Sequence, residues 1–237
     1  MKSLQFLIIS LVLVAGSILN AANTLTEKQS SQGWVLLFDG KSLDGWRGYN
    51  GADVSEAWVV KNGTLQLVAR PKGSPHANII TEKKYDDFDL RFDFKMEKGT
   101  NSGVMFNVGE GPKQPYLTGP EYQILDNLGF RTNKGEPVTA EQYTASNYAI
   151  EPARVEVLKP VGEWNRGRIV VRGNKVTYYL NGKKTMEYVM HSAKWKKQIA
   201  ESKFSKWKDF CTLDKGHISL QDHGTRVWYR NVKIKEL

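Results

Sequence analysis

Two-residue turns of asparagine and glycine constrain the fold of this chain more than any other sequence feature. Asn62-Gly63, Gly173-Asn174 and Asn181-Gly182 each separate two short runs that contain many β-branched or aromatic residues. Asn and Gly tolerate the positive φ angles that a tight hairpin requires. Within Phe88–Met96, apolar side chains occupy every second position and charged side chains lie between them. This alternation is typical of an antiparallel strand with one buried face.

The chain therefore predicts an all-β fold, a sandwich of two antiparallel sheets whose concave face can carry a site. The predicted strands are Trp34–Phe38, Trp58–Val60, Thr64–Ala69, Ile79–Thr81, Phe88–Met96, Asn101–Val108, Gly119–Asn127, Arg166–Arg172, Lys175–Leu180, Lys183–Tyr188, His217–Asp222 and Val227–Glu236. One short helix is predicted late in the chain, at Ser192–Asp209, where Trp195 and Ile199 form an i, i+4 pair beside many lysines.

The first 22 residues have the pattern of a secretory signal peptide. Lys2 supplies a positive charge, Leu4–Val14 is an apolar run too short to span a membrane comfortably, and Ala21 and Ala22 suit a cleavage site. We therefore expect residues 1–22 to be removed and residues 23–237 to form a single jelly-roll domain. That domain is expected to be periplasmic or secreted, without a stable membrane anchor, and an uncleaved anchor is the alternative.

The formal net charge of +9 is spread along the chain, with local density only in Lys194–Lys208. In an exported protein, a basic exterior favours solubility or attraction to anionic surfaces over nucleic-acid binding. We therefore expect no nucleic-acid partner. Cys211 is the one cysteine in the sequence, which excludes an intramolecular disulfide. We interpret Cys211 as a small buried hydrophobe.

Two extended segments place polar side chains on one face. In Gly119–Asn127, Glu121 and Gln123 share a face because side chains alternate along a strand. In Gly216–Gly224, the residues that share a face are His217, Ser219, Gln221 and His223. Burying such polar faces is costly unless they meet a polar partner. We predict that both faces line one groove, and that Gly103 marks a close approach in a strand nearby.

Seven motifs that occur in order carry a resemblance to a known family. They are Leu37–Trp46, Asn101–Val104, Gly119–Asn127, Gly162–Asn165, Asn181-Gly182, Ser202–Phe204, and Gly216–Gly224 with Tyr229–Asn231. Together they resemble the family once known as DUF1080, now named for 3-keto-disaccharide hydrolase, or 3-keto-glucoside 1,2-lyase and 3-keto-2-hydroxyglucal hydratase, activity. The resemblance covers essentially the whole mature chain. It implies a concanavalin A-like jelly roll and a periplasmic role in carbohydrate breakdown.

The substrate implied by this resemblance is a small carbohydrate, a glycoside already oxidised to a ketone at C3. The ketone acidifies the proton on C2, and removal of that proton allows β-elimination of the glycosidic oxygen from C1. Addition of water to the resulting 3-keto-2-hydroxyglucal makes the two steps a net hydrolysis. Such chemistry needs a base, donors for the enolate oxygen and an acid for the leaving group.

Glu121 and His223 are the predicted catalytic residues. His223 is a suitable base because imidazole titrates near physiological pH. Glu121 is the competing base, or it is the acid if burial raises its pKa. The structural alternatives are a salt bridge for Glu121 and a hydrogen bond within the turn for His223.

The predicted substrate-binding residues include two amides, Gln123 and Gln221, which can donate to sugar or enolate oxygens without changing charge. Asp126 lies on the opposite face of its strand, where it either anchors a turn or contributes to the site. Asn165 either binds a hydroxyl group or caps a turn. His217 is the weaker candidate, because it starts its strand.

Asn107 is also included among the substrate-binding candidates, although it departs from the family pattern. Many relatives carry Arg after Asn-Ser-Gly-x-x-Phe, so a cation is missing here if position 107 faces the groove. We expect His76 and His191 to be solvated at the surface. Trp46 and Trp164 either stack on sugar rings or fill the core, the second being more common for tryptophan.

No metal site or other cofactor is evident in the sequence, because no His, Asp and Glu cluster has helical or tight-loop spacing. A metal dependence built from distant strands stays open. Two other functions are also compatible with the sequence. A glucanase-type glycosidase of the retaining kind needs two carboxylates about 5 Å apart, and Gln123 stands where the second acid would lie. A non-catalytic carbohydrate-binding module would rely on aromatic platforms and need no base.

Overall fold

The computed structural model of the protein describes residues 22–71 and 73–237. The predicted signal peptide, apart from Ala22, lies outside these described residues. Within the two described ranges, no helix is both long enough and apolar enough to cross a membrane.

Thirteen strands and two helices make up the regular structure of the described residues. The strands are β1 (Trp34–Leu36), β2 (Trp46–Gly48), β3 (Trp58–Lys61), β4 (Thr64–Leu67), β5 (Ile79–Tyr85), β6 (Phe88–Met96), β7 (Asn101–Val108), β8 (Glu121–Leu125), β9 (Trp164–Arg172), β10 (Lys175–Leu180), β11 (Lys183–Val189), β12 (Gly216–Leu220) and β13 (Val227–Glu236). The helices are α1 (Glu27–Ser31) and α2 (Ala193–Ala200), and 3-10 turns cover Tyr49–Gly51, Pro115–Leu117, Ala140–Gln142 and Lys203–Lys206.

The strands form two sheets in which every pairing is antiparallel. The eight-stranded sheet has the order β11-β10-β9-β6-β13-β4-β3, and β1 pairs with β13 beside this path. The five-stranded sheet has the order β2-β5-β12-β7-β8. This architecture confirms the predicted all-β sandwich of two antiparallel sheets.

Four strands, β6, β7, β10 and β13, have the bounds that the alternation predicts. The hairpin turns at Asn62-Gly63 and Asn181-Gly182 are also confirmed, and all four of these residues have positive φ. Strand β5 continues to Tyr85, four residues beyond the predicted end, and the short strand β2 has no counterpart in the prediction.

The predicted helix at Ser192–Asp209 is shorter than expected. The Ser192 hydroxyl accepts a hydrogen bond from the Trp195 amide at the start of α2, which ends at Ala200. The Ser202 hydroxyl then accepts from the Phe204 amide and starts a separate 3-10 turn. Ser favours such caps over helix interiors, because its side chain competes for backbone groups. A second helix, α1, has no counterpart in the prediction.

The core lies between the two sheets and is built from their inward-facing side chains. Phe88, Leu90, Phe92, Phe94 and Met96 from β6 are each at most 1% exposed. Full burial of such side chains stabilises the folded state by roughly 1.5–3 kcal/mol each. Cys211 is also buried in this core, as predicted, and burial raises the pKa of its thiol.

The outer face of β6 is less exposed than the alternation predicts. Asp89 and Asp93 are 5% and 9% exposed. The Arg168 guanidinium donates two hydrogen bonds of 2.8 Å to the Asp89 carboxylate, and Arg166 and Arg230 flank Asp93 at 3.6 and 3.5 Å. The long arginine side chains therefore cover the shorter aspartates.

Strand β8 lies at the end of its sheet, and an irregular segment occupies its free edge. The Ala145 amide donates to the Gln123 carbonyl at 2.9 Å, and the Leu125 amide donates to the Thr144 hydroxyl at 2.8 Å. Asn147 forms an isolated bridge with Tyr122. Backbone groups at a sheet edge need such partners to avoid pairing with another chain. The segment also places Tyr148 beside the outer face of β8.

Candidate functional site

The site lies on the outer face of the five-stranded sheet. Tyr122 and Ile124 of β8 point into the core, so the alternation of the strand places Glu121 and Gln123 on the other side. Both polar side chains line a cavity of about 270 Å³. The alternation of Gly119–Asn127 therefore predicts the two faces of this strand correctly.

The second polar segment meets the first across β7. Gln221 and His223 follow the end of β12 and line the same cavity as Glu121. The backbone amide of Gln221 donates to the Gly103 carbonyl at 2.9 Å. Gly103 is in turn opposite Gln123 in the β7–β8 register. The two polar segments therefore line one cavity, with β7 between them.

Gly103 provides the space in which the Glu121 side chain approaches the second polar segment. A methyl group added at Gly103 would overlap with the carboxyl group of Glu121. Because that volume is empty, the Glu121 side chain lies over β7, and the Gln221 side chain is close enough to influence its carboxyl group. The close approach that glycine predicts is thus made by a site carboxyl group.

Glu121 is buried, with 6% of its surface exposed. This burial raises the pKa of the Glu121 carboxyl to about 8, because removal from water disfavours the charged form. The Lys203 ammonium and the Gln221 side chain act in the opposite direction and only partly offset the burial. At neutral pH the carboxyl therefore carries a proton that it can donate.

His223 faces the same cavity and forms a pair with a second imidazole. The rings of His223 and His76 lie 5.6 Å apart between centroids, and the Phe130 ring meets His223 edge-on at 6.5 Å. Burial and, second, the neighbouring His76 lower the pKa of His223 below its usual 6.5. The His223 residue as a whole nevertheless stays exposed to solvent. The imidazole is therefore neutral at pH 7 and able to accept a proton.

Asp222 holds the two imidazoles in place. Its carboxylate pairs with the Arg70 guanidinium and accepts hydrogen bonds from the amides of Ala77 and Gly224 at 2.7 and 2.8 Å. Its backbone carbonyl lies 2.7 Å from Nδ1 of His76. His76 is exposed, as predicted, but it lies on the cavity rim rather than in an isolated loop.

An aromatic wall closes the side of the cavity opposite the sheet. Tyr116 and Trp207 lie 5.4 Å apart, and Phe204 stacks on Phe210 at 4.3 Å. Lys203 is placed over the Tyr148 ring at 4.3 Å. Tyr116 lies in the segment before β8 and Tyr148 in the segment between β8 and β9, whereas Lys203, Phe204, Trp207 and Phe210 lie between α2 and β12. Aromatic faces next to hydrogen-bonding groups suit a ligand with both apolar and polar surfaces, as sugars have.

This aromatic wall has no counterpart among the features predicted from the sequence. The motif Ser202–Phe204 marked Lys203 and Phe204 as positions shared with a family, but it assigned no role to them. Nothing in the spacing of Tyr116 or Tyr148 connects them to a groove. Their positions depend on the tertiary packing of irregular segments, which strand alternation does not predict.

Four of the predicted substrate-binding residues lie outside the cavity and bond within the protein. Asp126 accepts from the amides of Gly99 and Gly129 at 2.8 and 3.0 Å, which anchors a turn. Asn165 accepts from the Lys159 amide at 2.9 Å and from the Asn181 side chain at 2.8 Å. The structural alternative stated for each of these two residues therefore matches its position.

His217 and Asn107 are the other two. His217 starts β12, roughly 13 Å along the chain from Gln221 at the spacing of an extended strand, and its Nδ1 lies 2.6 Å from the Thr81 carbonyl. Asn107 has a φ of 51° where the β7–β12 register shifts, and its amide donates to the Leu213 carbonyl at 3.0 Å. The shift ends the regular alternation there and turns Asn107 away from the cavity.

The two tryptophans that the sequence singled out also lie elsewhere. Trp46 is 4% exposed and packs in the core, where its ring nitrogen donates to the Leu37 carbonyl. Trp164 is half-buried on the outer face of the eight-stranded sheet, with the Arg230 guanidinium 4.0 Å from its ring. His191 is partly exposed and does not line the cavity.

One buried acceptor in the cavity lacks a protein partner. Among the described residues, Oε1 of Gln221 has no hydrogen-bond partner although the residue is 7% exposed. A buried oxygen of this kind gains stability when a ligand donates to it. The described residues contain no group of three His, Cys, Asp or Glu side chains arranged to hold a metal ion.

The fold and the cavity together define a carbohydrate-active jelly-roll sandwich, and comparisons with solved structures agree. A crystal structure of a candidate glycosyl hydrolase from Parabacteroides distasonis aligns with a TM-score of 0.85 and 34% identity, over 91% of this chain and 99% of that chain. The carbohydrate-binding module CBM66 from Bacillus subtilis aligns with a TM-score of 0.50 over 81% of this chain and 96% of that chain. At 13% identity, the second similarity shows the shared fold alone.

Residues 33–235 match the family described as 3-keto-alpha-glucoside-1,2-lyase-like domain. A 3-keto-disaccharide hydrolase from Bacteroides thetaiotaomicron is 32% identical over 231 residues, which cover 87% of this chain and 79% of that protein. The chain therefore belongs to the 3-keto-alpha-glucoside-1,2-lyase-like family, whose members act on carbohydrates as hydrolases or lyases. The resemblance that the seven motifs carry is confirmed.

The raised pKa of Glu121 predicts a specific dependence of stability on pH. The folded protein holds this proton up to about pH 8, whereas an unfolded glutamate releases it near 4.5. The free energy of unfolding of the wild type should therefore fall, relative to that of Glu121→Gln, as pH rises from 4.5 to 8. At about 1.4 kcal/mol per pKa unit, the relative loss amounts to a few kcal/mol. Urea denaturation across this pH range measures it.

The matched control is Glu163→Gln, which removes a carboxyl group from the exposed surface. Its stability curve should run parallel to that of the wild type. A Glu121→Gln curve that is also parallel would show that the carboxyl group is not protonated in the folded state at neutral pH.

Proposed function

We propose that this protein cleaves 3-keto-glycosides by C2-proton abstraction and β-elimination, followed by hydration of the 3-keto-2-hydroxyglucal. The observation that carries this proposal is the pairing, in one cavity, of a protonated carboxyl group, Glu121, with a neutral imidazole, His223. The relative from Bacteroides thetaiotaomicron is named for hydrolysis of a 3-keto-disaccharide, which supports the choice of substrate. The predicted signal at residues 1–22 supports a periplasmic or secreted location.

His223 is the proposed base and Glu121 the proposed acid. The imidazole takes the proton from C2, and the electron pair moves onto the C3 oxygen as an enolate. When the ketone reforms, a double bond forms between C1 and C2, and the bond from C1 to the glycosidic oxygen breaks. The leaving oxygen takes the proton of Glu121. At neutral pH, His223 is without the proton that it must accept and Glu121 carries the proton that it must donate.

Hydration then returns both groups to their starting states. The Glu121 carboxylate takes a proton from water as the water oxygen bonds to C1, and the His223 imidazolium returns a proton to C2. The product is 3-keto-glucose when the glycone is glucose. No further proton donor is needed, because each group reverses its first step.

Three groups around Glu121 are placed to stabilise the enolate. Gln123 and Gln221 supply amides at the cavity floor, and Lys203 supplies a cation close enough to influence the Glu121 carboxyl. A fixed positive charge near a developing enolate oxygen stabilises the transition state more than the ketone. Lys203 thus brings to the cavity the cation that position 107 does not supply in this chain.

The lining of the cavity makes two-carboxylate glycoside hydrolysis a weaker proposal. Among the described lining residues, Asp222 is the one carboxylate besides Glu121. It is already engaged by Arg70 and by two backbone amides. A carboxylate held this firmly is a poor nucleophile or base, and a retaining glycosidase needs two free ones.

Substrate discrimination tests the proposal. The protein should convert a disaccharide already oxidised to the 3-keto form, and should leave the same disaccharide unoxidised. In deuterated water, the product should carry deuterium at C2, because the C2 proton exchanges with solvent through His223. Mass spectrometry and NMR of the products measure both outcomes. Turnover of the unoxidised sugar, or a product without deuterium at C2, would favour direct hydrolysis instead.

Variants of the two histidines locate the base. His223→Asn should lower kcat/KM for the keto-sugar by about 10²-fold or more, because it removes a general base. His191→Asn is the matched control, since it removes an imidazole that lies outside the cavity. Binding of keto-sugar without turnover by the wild type would instead favour a carbohydrate-binding module.

The pH dependence of kcat/KM should have two limbs that belong to these groups. Activity should rise with pH through the pKa of His223, below 6.5, as the imidazole loses its proton. Activity should fall as pH rises through about 8, because the Glu121 carboxyl then loses the proton it must donate. The alkaline limb should disappear in Glu121→Gln, which retains low activity. An alkaline limb that survives in this variant would assign it to another group.

Gly103→Ala should separate activity from stability. The added methyl group overlaps with the end of the flexible Glu121 side chain, which can move without disturbing the core. We expect kcat to fall by about 10²-fold from this displacement, with little change in thermal stability. Gly167→Ala is the contrasting control. Its methyl group meets the Phe92 ring in the core, so it should lose about 1–3 kcal/mol of stability. Equal losses of stability in both variants would contradict the special role of Gly103.

A further inference from the structure

The outer face of the eight-stranded sheet carries cations in register. On neighbouring strands β9, β6 and β13, Arg168 is opposite Arg91, and Arg91 is opposite Lys233. Asn231 has a φ of 54° where the β13–β6 register shifts, and the shift keeps Lys233 on the outer face. Like charges directly opposite one another on a sheet destabilise it. This row therefore needs negative charge nearby to offset the repulsion.

Nearby carboxylates neutralise only part of this charge. Asp89 pairs with both Arg91 and Arg168, and Asp93 lies between two arginines of the next row. Within the described residues, no carboxylate lies at ion-pair distance from the Lys233 ammonium. The face thus keeps an excess of positive charge.

A cavity of about 270 Å³ opens beside this row. Arg91, Arg166 and Lys233 line it together with Asp93 and Asn231. The cations are therefore arranged around a concavity rather than spread over a flat surface. Guanidinium groups bind carboxylate and sulfate groups through pairs of parallel hydrogen bonds. A ligand with an acidic group can enter between Arg91, Arg166 and Lys233.

We propose that this face, centred on Arg91, Arg166 and Lys233, is a binding site for an acidic polysaccharide that carries carboxylate or sulfate groups. The proposal rests on charge, register and shape, and it is independent of the keto-sugar chemistry. The catalytic cavity lies on the outer face of the other sheet. The two sites are therefore on opposite sides of the sandwich, and a chain held at one leaves the other open.

Nearby tryptophans favour a glycan over other polyanions. The Asn231 side-chain amide donates to the Asp93 carboxylate at 2.7 Å, so these two groups are bonded to each other. The ligand contacts of this face therefore come from the cations and the aromatic rings. Two rows further along the same strands, the half-buried Trp164 and Trp228 lie on either side of Lys95. Cations beside indole rings suit sugar rings that carry acidic groups.

Dextran polymers test the proposal because they share one neutral backbone. The purified protein should bind dextran sulfate and carboxymethyl dextran, and should not bind unmodified dextran. Binding is measured by affinity electrophoresis and by calorimetry over a series of salt concentrations. Arg166→Gln/Lys233→Gln should raise the Kd for both acidic polymers by about tenfold and weaken the salt dependence, with turnover at the catalytic cavity unchanged.

Lys134→Gln/Lys196→Gln is the matched control, because it removes the same net charge from exposed positions elsewhere. Its Kd should change by less than about twofold. Equal effects in the two double variants would overturn the proposal, since attraction would then follow net charge alone. Tighter binding to vesicles of anionic phospholipid or to duplex DNA than to dextran sulfate would overturn the choice of partner. Thermal unfolding of both variants checks that their folds are intact.

Discussion

The candidate site depends on a single close approach, the Glu121 carboxyl group lying over Gly103. A carboxyl group can cross a neighbouring strand only where that strand has no side chain. Once it lies there, β7 and the aromatic wall exclude water from it, and its proton becomes hard to remove. The same position brings it to the Gln221 amide. One missing methyl group thus determines where the acid lies, what it contacts and which protonation state it adopts.

The half of the site that contains His223 is organised by the Asp222–Arg70 ion pair, whereas the half that contains Glu121 depends on the space over Gly103. Asp222 and Arg70 hold the turn that carries His223, and the carbonyl of Asp222 contacts His76. The neighbouring His76 imidazole disfavours the protonation of His223, since like charges repel. The site therefore raises the pKa of an acid and lowers the pKa of a base, and it does so by different means. Deep burial acts on Glu121, and partial burial beside a second histidine acts on His223.

Much of this arrangement could be predicted from the sequence, because it follows from local rules. Alternation along a strand separates Glu121 from Tyr122, and Asn-Gly turns mark the hairpins. The alternation ceased to be informative at Asn107, where a residue of positive φ shifts the register. Aromatic wall residues such as Trp207 were not predictable, because irregular segments find their places only through tertiary contacts. The outer face of β6 was predicted as exposed, because the pattern of one strand does not show that arginines on neighbouring strands cover it.

The segment along the free edge of β8 has a further consequence. Residues 144–147 satisfy the backbone of this last strand, and Tyr148 follows immediately in the cavity. The same stretch of chain therefore covers the sheet edge and forms part of the cavity lining. A descendant protein that remodels this stretch to accept a different sugar also alters its own protection against strand-to-strand aggregation. Divergence of substrate range within this fold is consequently limited by solubility, and compensating changes are to be sought along the same edge.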